Sequence, residues 1–346
     1  MSSEIWLSAL AGVAGLHLAG RAYQNAGVLR DQSSHPPPGR MHDGMHLRVE
    51  GEGSPTVLFE AGLAASSISW SCIQQEVAAY TRSIAYDRLG LGWSHAPARP
   101  RSLCSMAREL SEGLSAADIH GPLVLVAHSF GGCLARYFTA THPGRVAALV
   151  LVDPMEQCEF HPLTHCLDRQ LRRGTLLAQF GADLCEWGFL RFALESALKH
   201  SAKLSRLVSQ SMNGNRRGSE LSVKLLDELR KLPPSTWGDI KSHWCCPKNL
   251  RVVAEYFDLM PKLCATPLDN SVLRDLPLWV ISTGTTPAPR LAGHHRTAAL
   301  STRGRHILAE RSGHWVQFDA PELLLDTIRQ AVDSVIPVRS VLAQAG

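Results

Sequence analysis

The chain has 346 residues, of which 45% are hydrophobic and 19% charged. That balance excludes a disordered chain, a small disulfide-stapled scaffold and a multi-span membrane protein; at roughly 150 residues per domain the length allows about two units, or one large α/β domain with an insertion. Lys and Arg number 35 against 31 Asp and Glu, a net charge of +4, and the basic residues are scattered apart from short clusters such as Arg169/Arg172/Arg173 and Arg216/Arg217. A nucleic-acid partner would need a concentrated basic stripe, so none is expected. Nine cysteines are an odd count, and Cys158, Cys166, Cys185, Cys245, Cys246 and Cys264 crowd one stretch. Such a set fits reduced thiols better than a secreted disulfide framework.

Residues 5–20, IWLSALAGVAGLHLAG, carry no charge between Glu4 and Arg21. As a helix they extend roughly 24 Å, short of the ~20 residues a comfortable membrane span needs. Glu4 also stands where a secretion signal would carry Lys or Arg. A short membrane anchor, an interfacial helix and a helix packed on the body all stay open; with an anchor, Arg21 and Arg30 keep the body on the cytoplasmic side. QSSHPPPGR then reads as a linker, closing a leader of residues 1–39.

MHLRVEGEGSPTVLFEAG predicts two strands around a Gly-Glu-Gly-Ser-Pro turn. Short apolar runs cover residues 56–60, 82–86, 123–127, 148–152, 278–282 and 305–309, with amphipathic stretches between them. A buried parallel sheet with crossover helices produces this pattern, so the expected fold class is α/β with a doubly wound, mostly parallel sheet. Between Asp153 and Leu276 the strand signal disappears and helical spacing takes over, as in residues 208–234. A strand-free insertion at 155–275 would split the core into 40–154 and 276–346 and form a helical lid over the strand ends.

The segment PLVLVAHSFGGCLARYFTAT carries the chemistry. A strand runs into His128-Ser129-Phe130-Gly131-Gly132 and a helical pattern from Cys133 follows at once. This is the strand, sharp turn and helix of a nucleophile elbow, in which small neighbours let Ser129 take a strained, exposed position at the positive end of the helix. The usual G-x-S-x-G has Ala127 at its first position here. Elbow geometry makes the Phe130 N–H one donor of an oxyanion hole. Cys133, just behind, reads as a buried small side chain.

Five ordered blocks, FEAGLAASSISW, AYDRLGLGWS, VAHSFGG, LVLVDP and SGHWVQFDAPE, resemble the α/β-hydrolase superfamily over roughly residues 40–338. The resemblance implies His314, on the loop past the last strand, as the base, and the Leu63 N–H as the second oxyanion donor. Asp319 would N-cap the following helix, with Glu322 at the capping-box position. The superfamily most often places the acid after the seventh strand, yet residues 285–300 contain neither Asp nor Glu. The superfamily's alternative, at the end of the sixth strand, falls on Asp153, with Glu156, another carboxylate or a Ser-His dyad without an acid as the competing readings and Asp153-Pro154 as an ordinary turn the bland one. Asp87 reads as a loop-holding residue.

Cys158, His161, His165 and Cys166 have spacing that zinc sites use, but Pro162 interrupts the helix that would align them, so neither a metal nor a cofactor is expected. These features predict a serine hydrolase acting on an ester of a small, largely apolar substrate, with acyl transfer to another nucleophile and a non-catalytic binding protein as the alternatives.

Overall fold

The apolar runs assemble into one eight-stranded sheet in a computed structural model that describes residues 2–199 and 231–335. The strands are β1 (Arg40–His42), β2 (Met45–Glu50), β3 (Thr56–Glu60), β4 (Ser83–Tyr86), β5 (Leu123–His128), β6 (Val146–Val152), β7 (Leu278–Thr283) and β8 (Gly304–Ala309). Their spatial order is β1-β2-β4-β3-β5-β6-β7-β8, with β1 and β2 antiparallel to their neighbours and the rest parallel. The two strands expected around the Gly-Glu-Gly-Ser-Pro turn exist as β2 and β3 but do not pair. Residues Leu47–Glu50 form their ladder with Tyr86–Ser83, so β4 lies between them.

Every residue of β3, β4 and β5 is buried, as a parallel sheet covered on both faces requires. One set of alternating side chains, including Val57, Phe59, Val124, Val126 and Val150, packs against Trp70, against α2 (Ser71–Ala78) through Ile73 and Val77, and against α11 (Pro321–Asp333) through Leu324 and Ile328. The sheet also meets α4 (Gly131–Thr141) along β5 and β6 and α9 (Ala288–Ala298) along β7 and β8, while α3 (Leu103–Ala116) packs on α4. Each fully buried side chain of this size contributes about 1.5–3 kcal/mol. The strand ends that carry the site are therefore set by a stiff frame, and the parallel registers Glu60↔Ala127, His128↔Val152 and Val152↔Ile281 bring them to one edge.

The chain divides into two compact units. The sheet unit comprises residues 37–175 and 255–346. The other comprises residues 1–36 and 176–254 and contains α1 (Ser2–Ser34), the end of α5 (His165–Glu186), α6 (Phe189–Lys199), α7 (Trp237–Trp244) and the start of α8 (Pro247–Cys264). In this second unit α1 continues to Ser34, beyond the Gln32 where the linker was expected to open.

The second half of α1 is held by buried polar contacts. Fully buried Arg191 donates from Nε to Gln24 (3.0 Å) and from Nη1 to Asp31 (2.6 Å), and the Tyr23 hydroxyl donates to Glu195 (2.7 Å). Residues 1–36 of the leader thus group with helices of residues 176–254. Among the described residues between β6 and β7 there is no strand, and the helical pattern at 208–230 lies outside the described residues. Among the described residues no helix is long and apolar enough to cross a membrane.

Candidate active site

β5 ends at His128 and α4 begins at Gly131, so Ser129 and Phe130 make the turn. Ser129 sits at φ +55°, a left-handed conformation that costs a non-glycine residue about 1–3 kcal/mol and persists because its surroundings over-determine it. Its N–H donates to the Val152 carbonyl (3.0 Å), and its carbonyl accepts from the N–H groups of Gly132 (3.0 Å) and Met155 (3.2 Å). The glycines are required by space: a Cβ on Gly131 would lie 2.7 Å from the Ala61 oxygen, and one on Gly132 would lie 2.8 Å from the Pro154 Cβ. Ala127, at the position where glycine is usual, is fully buried at the end of β5.

His314 follows β8 on a loop held by the Gly313 N–H, which donates to Asp319 Oδ2 (2.9 Å). That bond corrects the expected capping role of Asp319. The four-residue helix α10 (Val316–Asp319) intervenes, the N-cap of α11 is Ala320, and no side chain caps it, because the Asp319 carboxylate is turned back to the histidine loop. His314 Nε2 lies 3.0 Å from Ser129 Oγ, and Nδ1 lies 2.6 Å from Asp153 Oδ2. Asp153 ends β6 at φ +41° and is buried.

The loop after β7 carries no carboxylate, but it completes this one: the Thr286 hydroxyl donates to Asp153 Oδ1 (2.7 Å), and Arg290 Nη1 stands 3.7 Å from Oδ2. Burial pushes the Asp153 pKa up, but the His314 hydrogen bond and charge, the Thr286 hydroxyl and the Arg290 guanidinium outweigh it and hold the carboxyl below its ordinary value. His294 Nε2, 2.8 Å from the Pro154 carbonyl, pins the turn behind it. Glu156 faces elsewhere, accepting from the Thr297 hydroxyl (2.8 Å) with Arg136 Nη1 3.7 Å away.

The loop after β3 lies against the serine, since a Cβ on Gly62 would be 3.7 Å from Ser129 Cβ. Among the described residues neither the Phe130 nor the Leu63 N–H is engaged by a backbone carbonyl. The loop's shape comes from Arg88, which the sequence reading passed over. Its guanidinium donates to the carbonyls of Ala61 (2.7 Å), Gly62 and Leu63 (2.8 Å) and pairs with buried Glu60, while the rings of Phe130 and Tyr256 flank it at 5.5 Å. Three successive carbonyls are thereby gathered on one cation. The signal was present in the AYDRLGLGWS block, where Arg88 follows Asp87.

His128 also went unread. Its Nε2 donates to the His314 carbonyl (2.8 Å), and its ring lies 4.6 Å from that of His314, tilted by 45°. Burial, reinforced by His314, pushes its pKa down to about 3, so the ring is neutral and Nε2 carries the proton. Its Nδ1 is buried and, among the described residues, has no hydrogen-bond partner; it faces Gly62.

Asp87 accepts the N–H groups of Ser67 (2.7 Å) and Trp93 (3.0 Å), as a loop-holding residue does. Cys158 and His161 line a cavity of about 330 Å³ together with Arg136 and Arg296, whose charges repel a cation. Among the described residues no three His, Cys, Asp or Glu side chains converge as metal ligands do. Cys133 is buried with its Sγ 3.5 Å from that of Cys264.

A sheet of this topology with a strained serine, a histidine and a carboxylate at its strand ends defines the α/β-hydrolase class. A family model described as alpha/beta hydrolase fold matches residues 55–321, and the chain belongs to that family. It is 26% identical over 295 residues to the uncharacterized protein Rv2715 of Mycobacterium tuberculosis, covering 84% of this chain and 79% of that one. It is 29% identical over 134 residues to the putative carbamate hydrolase RutD of Azorhizobium caulinodans, covering 39% of this chain and 49% of the relative. Matches in proteins from Schizosaccharomyces pombe, Bacillus subtilis and Gibberella zeae span only 14%, 42% and 28% of those relatives' own lengths. Among solved structures, a thermophilic esterase from Thermogutta terrifontis superposes with a TM-score of 0.56 at 17% identity, over 84% of this chain and 93% of that one. A serine hydrolase involved in carbazole degradation gives 0.57 at 17% identity, over 85% and 98%.

Proposed function

We propose that the protein is a serine hydrolase that cleaves an ester, or a related acyl bond, of a small and largely apolar substrate through an acyl-enzyme on Ser129. The observation that carries this reading is the unbroken hydrogen-bonded series from Asp153 through His314 to Ser129, at 2.6 Å and 3.0 Å. Asp153 accepts the Nδ1 proton of His314, which leaves Nε2 as the acceptor for the serine hydroxyl. Ser129 Oγ attacks the carbonyl carbon as its proton passes to Nε2. The N–H groups of Phe130 and Leu63 stabilise the oxyanion, on a loop shaped by Arg88.

Collapse of the tetrahedral species breaks the bond to the leaving alcohol, which takes the proton from Nε2. A water molecule then gives a proton to His314 and attacks the acyl carbon; collapse breaks the bond to Ser129 Oγ, which takes that proton back from Nε2, and the acid is released. Ser129 at the nucleophile position separates this chemistry from that of family branches with a carboxylate nucleophile. The helices of the insertion at 155–275 read as a lid whose apolar side chains suit an uncharged acyl group. Residues 5–20 extend the reading to attachment at a membrane surface, with Arg21 and Arg30 keeping the body on the cytoplasmic side.

A fluorophosphonate probe tests the chemistry. The wild type should be labelled and Ser129→Ala should not; a folded wild type that resists labelling would overturn the proposal.

A further inference from the structure

The first half of α1 carries no charge from Ile5 to Gly20, and its large apolar side chains include exposed Trp6 (70%), Leu10 (65%) and Leu16 (71%). A helix apolar on every side is stable only in an apolar medium. Its length is about 24 Å for sixteen residues, too short to cross a bilayer at a normal rise.

The exposed apolar surface continues beyond α1 within the same unit. The His17 ring lies 5.1 Å from that of Trp187, and a Cβ on Gly20 would collide with the Trp187 carbonyl, so α1 crosses the junction of α5 and α6 at backbone contact. Trp187 stands 6.4 Å from Phe189, and both are exposed, as is Phe192 one turn on. Along α5, exposed Leu176, Leu177 and Phe180 precede Trp187 at helical spacing. Exposed Arg21 follows the apolar run of α1 at once. Apolar area with Trp among it and a basic residue next to it is the composition of an interfacial anchor, matched to acyl chains below and anionic headgroups above.

We propose that the first half of α1, together with Phe180, Trp187, Phe189 and Phe192, is one composite face that docks in the plane of an anionic membrane leaflet, with Arg21 at its phosphates. This deepens the membrane-surface reading given above and is independent of the ester chemistry. Because α1 is bolted to the insertion through Arg191, Gln24 and Asp31, docking would orient the insertion as well as tether the chain.

The test is co-sedimentation of the full chain with phosphatidylcholine vesicles, with and without phosphatidylserine. The wild type should sediment with the anionic vesicles. The variant Phe180→Ser/Phe189→Ser/Phe192→Ser should lose about tenfold or more in partitioning, since a buried aromatic is worth on the order of tenfold by itself. Arg21→Glu should weaken binding to anionic vesicles only. All four sites are exposed, so cooperative thermal unfolding at the wild-type Tm checks that the variants are folded.

A wild type left in the supernatant of both vesicle types overturns membrane attachment altogether. A triple-serine variant that partitions like the wild type, while Trp6→Ser/Leu10→Ser does not, overturns the composite face and leaves α1 as a simple anchor. A wild-type dimer on size exclusion that the serine variant dissociates, without vesicle binding, assigns the face to a second copy and also overturns the proposal. Loss of fluorophosphonate labelling would bear on the ester chemistry alone.

Discussion

Replacing Asp153 by Asn changes the acid with almost no change in shape. The Thr286 hydroxyl donates to Oδ1 at 2.7 Å, and His314 Nδ1 meets Oδ2 at 2.6 Å. In the variant the amide oxygen takes the Thr286 side, so the NH₂ group faces the imidazole. An N–H aimed at Nδ1 turns that nitrogen into the acceptor and moves the ring proton to Nε2, 3.0 Å from Ser129 Oγ. Nε2 then cannot take the serine proton, and the imidazolium that must form has lost its counter-charge. Wrong tautomer and lost charge together lower kcat by about 10⁴-fold in such an arrangement, or about 5.4 kcal/mol of transition-state stabilisation. KM should change little, because Asp153 is buried and its oxygens are taken by Thr286 and His314. The assay is kcat and KM for a short p-nitrophenyl ester, with Glu156→Gln in parallel. Glu156 is bonded to Thr297 and lies near Arg136, so its variant should keep a kcat close to wild type. Hydrolysis by Asp153→Asn at the wild-type rate, or the large loss appearing in Glu156→Gln instead, would refute the reasoning.

Two further outcomes follow from the residues around this series. His128 is held neutral in the folded chain with a pKa of about 3, whereas the unfolded chain takes up that proton near its ordinary value of about 6.5. Stability must therefore fall as pH drops from about 6.5 towards about 3, this one group adding a slope of up to about 1.4 kcal/mol per pH unit. His128→Gln should remove that part of the slope in urea unfolding between about pH 7 and pH 4; an unchanged slope would show that the ring is not the group titrating. Arg88→Lys keeps a cation for Glu60 but lacks the planar fork that serves three carbonyls, so kcat should fall on the order of tenfold to a hundredfold with KM nearly constant. A wild-type kcat in that variant would show that the loop keeps its shape without the clamp.

How far the sequence could be read depends on whether each signal is local. Strands β3 to β7 announced themselves because a sheet buried on both faces needs continuous apolar runs, and the serine turn did so because two small residues must stand beside it. Pairing is not local. The Gly-Glu-Gly-Ser-Pro stretch looks like a hairpin turn, yet β2 pairs with β4, so the chain passes over a neighbouring strand that the turn itself does not encode. The acid shows the same limit in chemical form. Asp153 and Glu156 stand three residues apart after one strand, and nothing in composition separates them. What separates them is a positive φ at Asp153 that turns its carboxylate to His314, 161 positions away, and a hydroxyl from the loop after β7 that meets its other oxygen. That loop, blank when searched for a carboxylate, contains the threonine that orients one supplied by the adjacent strand. Arg191 follows the same logic: a lone arginine in a helical stretch reads as solvated, and only the approach of Gln24 and Asp31, more than 150 positions earlier, makes its full burial affordable. A residue type can thus be nominated from its neighbours in sequence, while its role is assigned by the partners that folding brings to it.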